Sequence, residues 1–130
     1  MIIVLDSNEY LNYFNKKTPL GKVFSNQDLT IYTNNIIIRE VIRNLKESQI
    51  KELYNIIFNK NINFHGQKLS LQLLTKYKKL GLKKGDIAIA AFCENVMADY
   101  LVTENRHFLK AKKFNEFKAL SLKELLGKLK

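Results

Sequence analysis

Three carboxylates stand where one type of structure hands over to another. Asp6 ends the apolar run Ile2-Ile3-Val4-Leu5, Glu40 lies in Ile38-Arg39-Glu40-Val41-Ile42, and Asp86 follows Gly85 at the head of an alanine-rich segment. A further polar turn, Thr103-Glu104-Asn105, follows Asp99-Tyr100-Leu101-Val102. Brought to one rim, three carboxylates and an amide make an all-oxygen site. Such a site suits a hard divalent cation, Mg²⁺ or Mn²⁺, that keeps several of its waters. The single cysteine, Cys93, and the two histidines, His65 and His107, exclude a cysteine-based zinc cluster or a His-rich metal site. Each acid also has an ordinary structural use. Asp6 and Asp86 suit helix caps, Glu40 can pair with Arg43 three residues on, and Asn105 suits a turn. Convergence is what would separate the two readings, because like charges cluster at a cost unless a cation offsets it.

The elements that must position these residues alternate. Residues 2–5 read as a short strand buried on both faces. Tyr10, Leu11, Tyr13 and Phe14 recur at helical spacing until Thr18-Pro19. A second strand is expected at Leu29–Thr33. Ile38, Val41, Ile42 and Leu45 then form a helical stripe, as do Ile50, Leu53, Tyr54, Ile57 and Phe58. Leu69, Leu73, Leu74, Tyr77 and Leu80 make another, stopped by Gly81. Gly85 to Met97, apolar nearly all round, predicts a central buried helix. Asp99–Thr103 and Phe117–Leu120 read as the third and fourth strands, and Ser121-Leu122-Lys123-Glu124 as a capping box opening a last helix. Strands separated by helices predict an α/β fold with three layers, α/β/α, around a mainly parallel sheet. Ligands of such sheets bind outside the carboxyl ends of the strands, where these acids fall.

With 130 residues and no linker, repeat or low-complexity tract, a single domain spanning 1–130 is expected. Hydrophobic residues make up 46% and charged residues 26%, which excludes disorder on composition. No run approaches the ~18 apolar residues of a membrane span. The start shows neither a basic segment nor a small-residue cleavage site, so a cytoplasmic location is expected. Lys and Arg number 22 against 12 Asp and Glu, a net charge of +10. Nucleic acid is the first partner to consider, ahead of an acidic protein or a membrane surface. Lysine runs at Lys76-Tyr77-Lys78-Lys79, Lys83-Lys84 and Lys110-Ala111-Lys112-Lys113 could track an RNA backbone or simply face water. All three arginines adjoin the acids: Arg39 and Arg43 flank Glu40, and Arg106 follows Asn105. The arginine fork suits bidentate phosphate contact. Cys93, within an apolar run, reads as a buried inert thiol. Walker loops, dinucleotide glycine fingerprints and nucleophile elbows are missing from the sequence.

Four segments in order, Ile2-Ile3-Val4-Leu5-Asp6-Ser7-Asn8, Ile38-Arg39-Glu40-Val41-Ile42, Gly85-Asp86-Ile87-Ala88-Ile89-Ala90-Ala91 and Ala98–Phe108, resemble the signatures of PIN-domain nucleases across essentially the whole chain. The last two are the most specific. In size and single-domain build the chain is similar to the VapC-type toxins of prokaryotic toxin–antitoxin pairs and to their non-toxin relatives. The resemblance implies a metal-dependent endoribonuclease with RNA as substrate, Mg²⁺ or Mn²⁺ as cofactor, a cognate antitoxin as partner and homodimerisation through helical faces. Asp6, Glu40 and Asp86 match the family's first three acids. The resemblance gives metal ligation to Asp6 and Asp86, and to Glu40 completion of the shell or orientation of a water. Where the fourth acid often stands in Thr-x-Asp, this chain has Thr103-Glu104-Asn105. Asn105 then serves as a neutral ligand or positioning group, and a second metal comes into question. Glu104 or Asp99 could compensate, although Asp99 should lie at the opposite end of its strand. Asn8 and Thr103 are expected to support the site by hydrogen bonds, and Arg39, Arg43 and Arg106 to contact RNA phosphates. Two other readings remain: an inactive PIN-like RNA-binding or regulatory module, favoured by Asn105, and an interaction subunit whose basic face receives an acidic partner.

Overall fold

The computed structural model describes residues 1–110 and 114–129. β1 (Ile2–Leu5) is buried because Ile3, Val4 and Leu5 are all apolar and enclosed on both faces. It is followed by α1 (Ser7–Lys16), a short α2 (Gly21–Phe24), β2 (Thr30–Thr33), α3 (Asn35–Arg43), α4 (Glu47–Asn59) and β3 (Ile62–Phe64). The second half runs α5 (Leu71–Lys79), α6 (Lys84–Asn95), β4 (Tyr100–Val102), α7 (Arg106–Leu109), β5 (Lys118–Leu120) and α8 (Leu122–Lys128). The stop after α5 is a glycine's work: Gly81 has φ +87°, a conformation that a side chain would strain. Ser121 and Glu124 close the expected capping box at α8.

The five strands lie in the order β3-β2-β1-β4-β5 and every pair is parallel. The chain builds outward from β1 to β3, then returns to β1's other side for β4 and β5. Since parallel crossovers are right-handed, that reversal sends the connections of the two halves to opposite faces of the sheet. The side chains between the layers form the core, with Ile31, Leu53, Tyr77, Phe92, Leu101 and Leu125 among the fully enclosed ones. The reversal also makes the junction of β1 and β4 the topological switch point, where Leu5 pairs with Val102 and a crevice opens beyond the strand ends.

Three expectations need correction. The sheet has five strands, because Ile62–Phe64 is an edge strand, so the expected third and fourth strands are β4 and β5. α6 begins at Lys84 and ends at Asn95; Met97 lies beyond it at φ 54° and is exposed. Only Ile89–Cys93 of that helix is continuously buried, since its first turn opens onto the site. Cys93 is buried as expected, and burial pushes its thiol up.

Candidate acidic site at the carboxyl ends of the strands

Asp6 leaves β1 at the switch point and caps α1. Its backbone amide donates to Val102 O (3.0 Å), and its Oδ1 accepts from Ser7 N (2.8 Å). Across the crevice the Thr103 hydroxyl donates to Asp6 Oδ2 (2.8 Å) and accepts from Asn105 N (3.0 Å). Asn105 Nδ2 in turn donates to Asp86 Oδ1 (3.2 Å). The Thr103-Glu104-Asn105 turn thus ties the acid at the end of β1 to the acid in the first turn of α6. Thr103 is fully buried, so its single hydroxyl fixes one rotamer of Asp6.

Burial is the largest influence on Asp6 and raises its carboxyl above the ordinary value. The Thr103 hydroxyl and the Ser7 amide work against burial, while the negative charges of Glu40 and Asp86 push the same way as burial. The charges of two sequence-distant acids therefore reach Asp6 at this rim. The ordinary uses account for only part of this. Asp6 is a cap, but α6 is capped at Lys83 without a side-chain bond, leaving Asp86 free of that task. Glu40 makes no ion pair with Arg43 among the described residues, whose salt bridges join Lys76 to Glu94 and Glu116.

The remaining expected residues divide. Asn105 accepts at Oδ1 from His107 N (2.9 Å), capping α7, and its NH₂ faces Asp86. Its oxygen therefore does not face the acids as a ligand would. Asn8 is exposed, and Ser7 is the neighbour that meets Asp6. Glu104 is exposed at the rim. Asp99 lies at the far end of β4, where its Oδ2 accepts from Ile2 N (2.7 Å). Arg39, Arg43, Arg106 and His107 are exposed, and Arg106 and His107 border a cavity of ≈390 Å³. Of the last lysine run, Lys110 is described, whereas Ala111, Lys112 and Lys113 lie outside the described residues.

Glu9 escaped the sequence reading. It is 3% exposed in the first turn of α1, and its Oε2 has no hydrogen-bond partner. Burial first, then the negative charges of Glu104 and Asp6, push its carboxyl up to about 7. Its position three residues after Asp6 looks like capping chemistry. A sequence signal existed nonetheless, in an acid placed directly before the inward-facing Tyr10.

Beside Asp86, a cleft of ≈710 Å³ is lined by Ile36, Leu69, Leu71, Leu74, Ile87 and Ala88, with Lys68, Lys78 and Lys84 as its charged members. Among the described residues, no three His, Cys, Asp or Glu side chains are grouped so as to hold a metal ion by themselves. The donors nevertheless fit hydrated Mg²⁺ or Mn²⁺, which takes one or two carboxylates and retains water. They are oxygen-only, mutually repelling and unpaired with any protein cation among the described residues.

No family model and no curated protein sequence matches the chain. Solved structures do. VapBC2 from Rickettsia felis, bound to a DNA fragment from their promoter, is 22% identical with a TM-score of 0.65, covering 93% of this chain and 98% of that one. VapBC-1 from nontypeable Haemophilus influenzae is 16% identical with a TM-score of 0.68 over the same shares. The T. brucei RRP44 PIN domain is 10% identical with a TM-score of 0.63, covering 98% of this chain and 81% of that one. With the parallel five-stranded sheet, its switch point and these likenesses together, the chain has the PIN-domain, VapC-like fold.

Proposed function

We propose that this protein is a metal-dependent endoribonuclease and the toxin of a toxin–antitoxin pair. The observation that carries the reading is the hydrogen-bonded chain Asp6–Thr103–Asn105–Asp86 at the switch point, where the charges of Glu40 and Asp86 bear on Asp6 with no ion pair to a protein cation among the described residues. Asp6 and Asp86 would hold Mg²⁺ or Mn²⁺, with Glu40 completing the shell or orienting water. A divalent ion bound there supplies an activated water and neutralises charge on the phosphate. The chain's own contribution is placement. Thr103 holds Asp6 and Asn105 holds Asp86 through their hydrogen bonds. Arg39, Arg43 and Arg106, exposed and without ion pairs among the described residues, are available to grip RNA phosphates.

The cleft beside Asp86 suits the partner. Its aliphatic walls and three lysines, with no acidic residue in the lining, complement an apolar, acidic segment of an antitoxin. Structured RNA incubated with Mn²⁺ or Mg²⁺, beside Asp6→Asn and Asp86→Asn variants, tests the enzyme. Metal-dependent cleavage lost in both variants supports it. The neutral Asn105 favours a second reading, an RNA-binding module, which binding without cleavage would support.

A further inference from the structure

A cavity of ≈390 Å³ adjoins the acidic crevice, between the α5–α6 connection and the single turn of α7. The Asn105–Asp86 hydrogen bond (3.2 Å) ties those same two segments together. Leu82 stands four residues before Asp86, and Arg106 directly follows Asn105, its Cα about 3.8 Å from that of Asn105. An occupant of the cavity is therefore a close neighbour of whatever reaches Asp86.

The lining divides into two chemistries. Leu80, Leu82 and Phe114 supply an apolar side, partly buried and packed on the core. Phe114 stacks on Phe117 with ring centroids 4.9 Å apart, and Phe108 at 5.8 Å and Tyr77 at 6.0 Å also hold it, so it is a fixed surface. Arg106, His107 and Lys110 supply an exposed, basic side, and no carboxylate lines the cavity. Arg106 and Lys110 make no ion pair among the described residues. An apolar floor under a cationic rim matches a nucleotide, with a flat base to cover and an anionic phosphate to hold. The volume lies within the ~300–1,000 Å³ of small-ligand sites. The larger aliphatic cleft shares no lining residue with this cavity, so a polypeptide seated there leaves the cavity to RNA.

We propose that this cavity seats the nucleotide beside the scissile phosphate: Leu80, Leu82 and Phe114 take its base, Arg106 and Lys110 its phosphate, and His107 the polar edge of the base. The proposal rests on the ribonuclease reading for its substrate and adds a subsite that selects the nucleotide next to the cut. The apolar floor accepts any base, which leaves preference among bases to His107.

Titrating the full-length chain with the four nucleoside 5′-monophosphates, at low salt in chelator-treated buffer and followed by backbone-amide NMR, tests the seat without any cleavage. At least one nucleotide should bind saturably, shift the amides of Leu82, Arg106 and His107, and bind more tightly than inorganic phosphate. Arg106→Gln or Lys110→Gln, both at exposed positions, should weaken it by about tenfold, the worth of one charge-assisted hydrogen bond. Unchanged affinity in both variants would overturn the proposal, as would the absence of shifts at those amides. Inorganic phosphate bound as tightly as every nucleotide would leave only a basic patch. A poly-glutamate peptide bound there more tightly than every nucleotide would make the cavity a protein-docking surface and refute the seat. A wild type that seats a nucleotide but leaves structured RNA uncut with Mn²⁺ would refute the ribonuclease reading and not the seat; RNA cut by a chain that seats no nucleotide would refute the seat alone.

Discussion

In chelator-treated buffer, Glu9 should make this fold lose stability as pH rises. Its carboxyl is raised from 4.5 to about 7. Between those values the folded chain keeps a proton that the unfolded chain has released, so the unfolded state binds fewer protons and stability falls with increasing pH. The penalty is absent below 4.5 and complete above about 7. A span of about 2.5 pH units at 1.36 kcal/mol each amounts to about 3 kcal/mol. Because Glu9 is only 3% exposed, solvent screening removes little of that. Against a total stability of ~5–15 kcal/mol for an ordinary domain, the effect is large. Glu9→Gln keeps the shape and removes the titration. The buried amide has its own cost of ~1–3 kcal/mol, independent of pH, so the informative quantity is the change in the difference between the two proteins. Urea unfolding at pH 5, 6, 7 and 8 should show the variant gaining on the wild type by about 2–3 kcal/mol from the lowest pH to the highest. Asp6 titrates in both proteins and largely cancels. Parallel stability curves would show that Glu9 is not held in a dry, negatively charged environment, and the reasoning about it would fail.

Thr103→Val removes the buried hydroxyl from Asp6 Oδ2 and should cost ~1.5–3 kcal/mol at pH 7, the worth of a hydrogen bond to a charged group. Calorimetric titration with Mn²⁺ should show an affinity about 10–100-fold lower; unchanged affinity would deny Thr103 its positioning role. Arg39→Lys, Arg43→Lys and Arg106→Lys should each leave the thermal midpoint unchanged, and at least one should slow RNA cleavage. Equal rates for all three would remove arginine from phosphate recognition. Leu71 is 78% exposed at the cleft, so Leu71→Asp should preserve the fold. It should also weaken a cognate antitoxin by tenfold or more in a binding titration, since burying one leucine contributes about 1.5–3 kcal/mol.

What was legible before the structure follows from what is local. β1 and β4 announce themselves because strands buried on both faces must be apolar throughout, and α3 because its stripe returns every three or four residues. Asp6 and Asp86 could be placed at a strand end and a helix start for the same reason, whereas Glu40 lies beyond the first turn of α3, which begins at Asn35. The edge strand β3 could not be read, since only Ile62 of its three residues is buried and pairing with β2 defines it. α2 and α7 are single turns of four residues, anchored by the buried Phe24 and Phe108, and no periodicity develops over so short a span. Glu9 is the instructive omission. Its spacing from Asp6 matches a cap, and only the distant contact that occupies the Asp6 amide shows that it is none. For Asn105 the turn was legible, whereas its amide's bonds to Asp86 and to the start of α7 depend on the tertiary fold.

The charge distribution sets a condition that any polyanion-cleaving function must meet. Five of the 12 acids, Asp6, Glu9, Glu40, Asp86 and Glu104, gather around the switch point, as their mutual effects on Asp6 and Glu9 show. The other seven are spread against 22 lysines and arginines. At long range the chain attracts a polyanion, whereas at the crevice a phosphate meets the same sign of charge. Within a few ångströms the local repulsion outweighs distant lysines, which solvent and salt screen beyond about 8–10 Å. A phosphate can therefore settle against Asp6 only after the local sign has been changed. Protonation would change it, but would remove the carboxylates' capacity to hold a cation. On the proposed function, a divalent cation would change it while keeping the carboxylates ionised. That ion would then reconcile the basic surface and the acidic crevice with one polyanionic substrate.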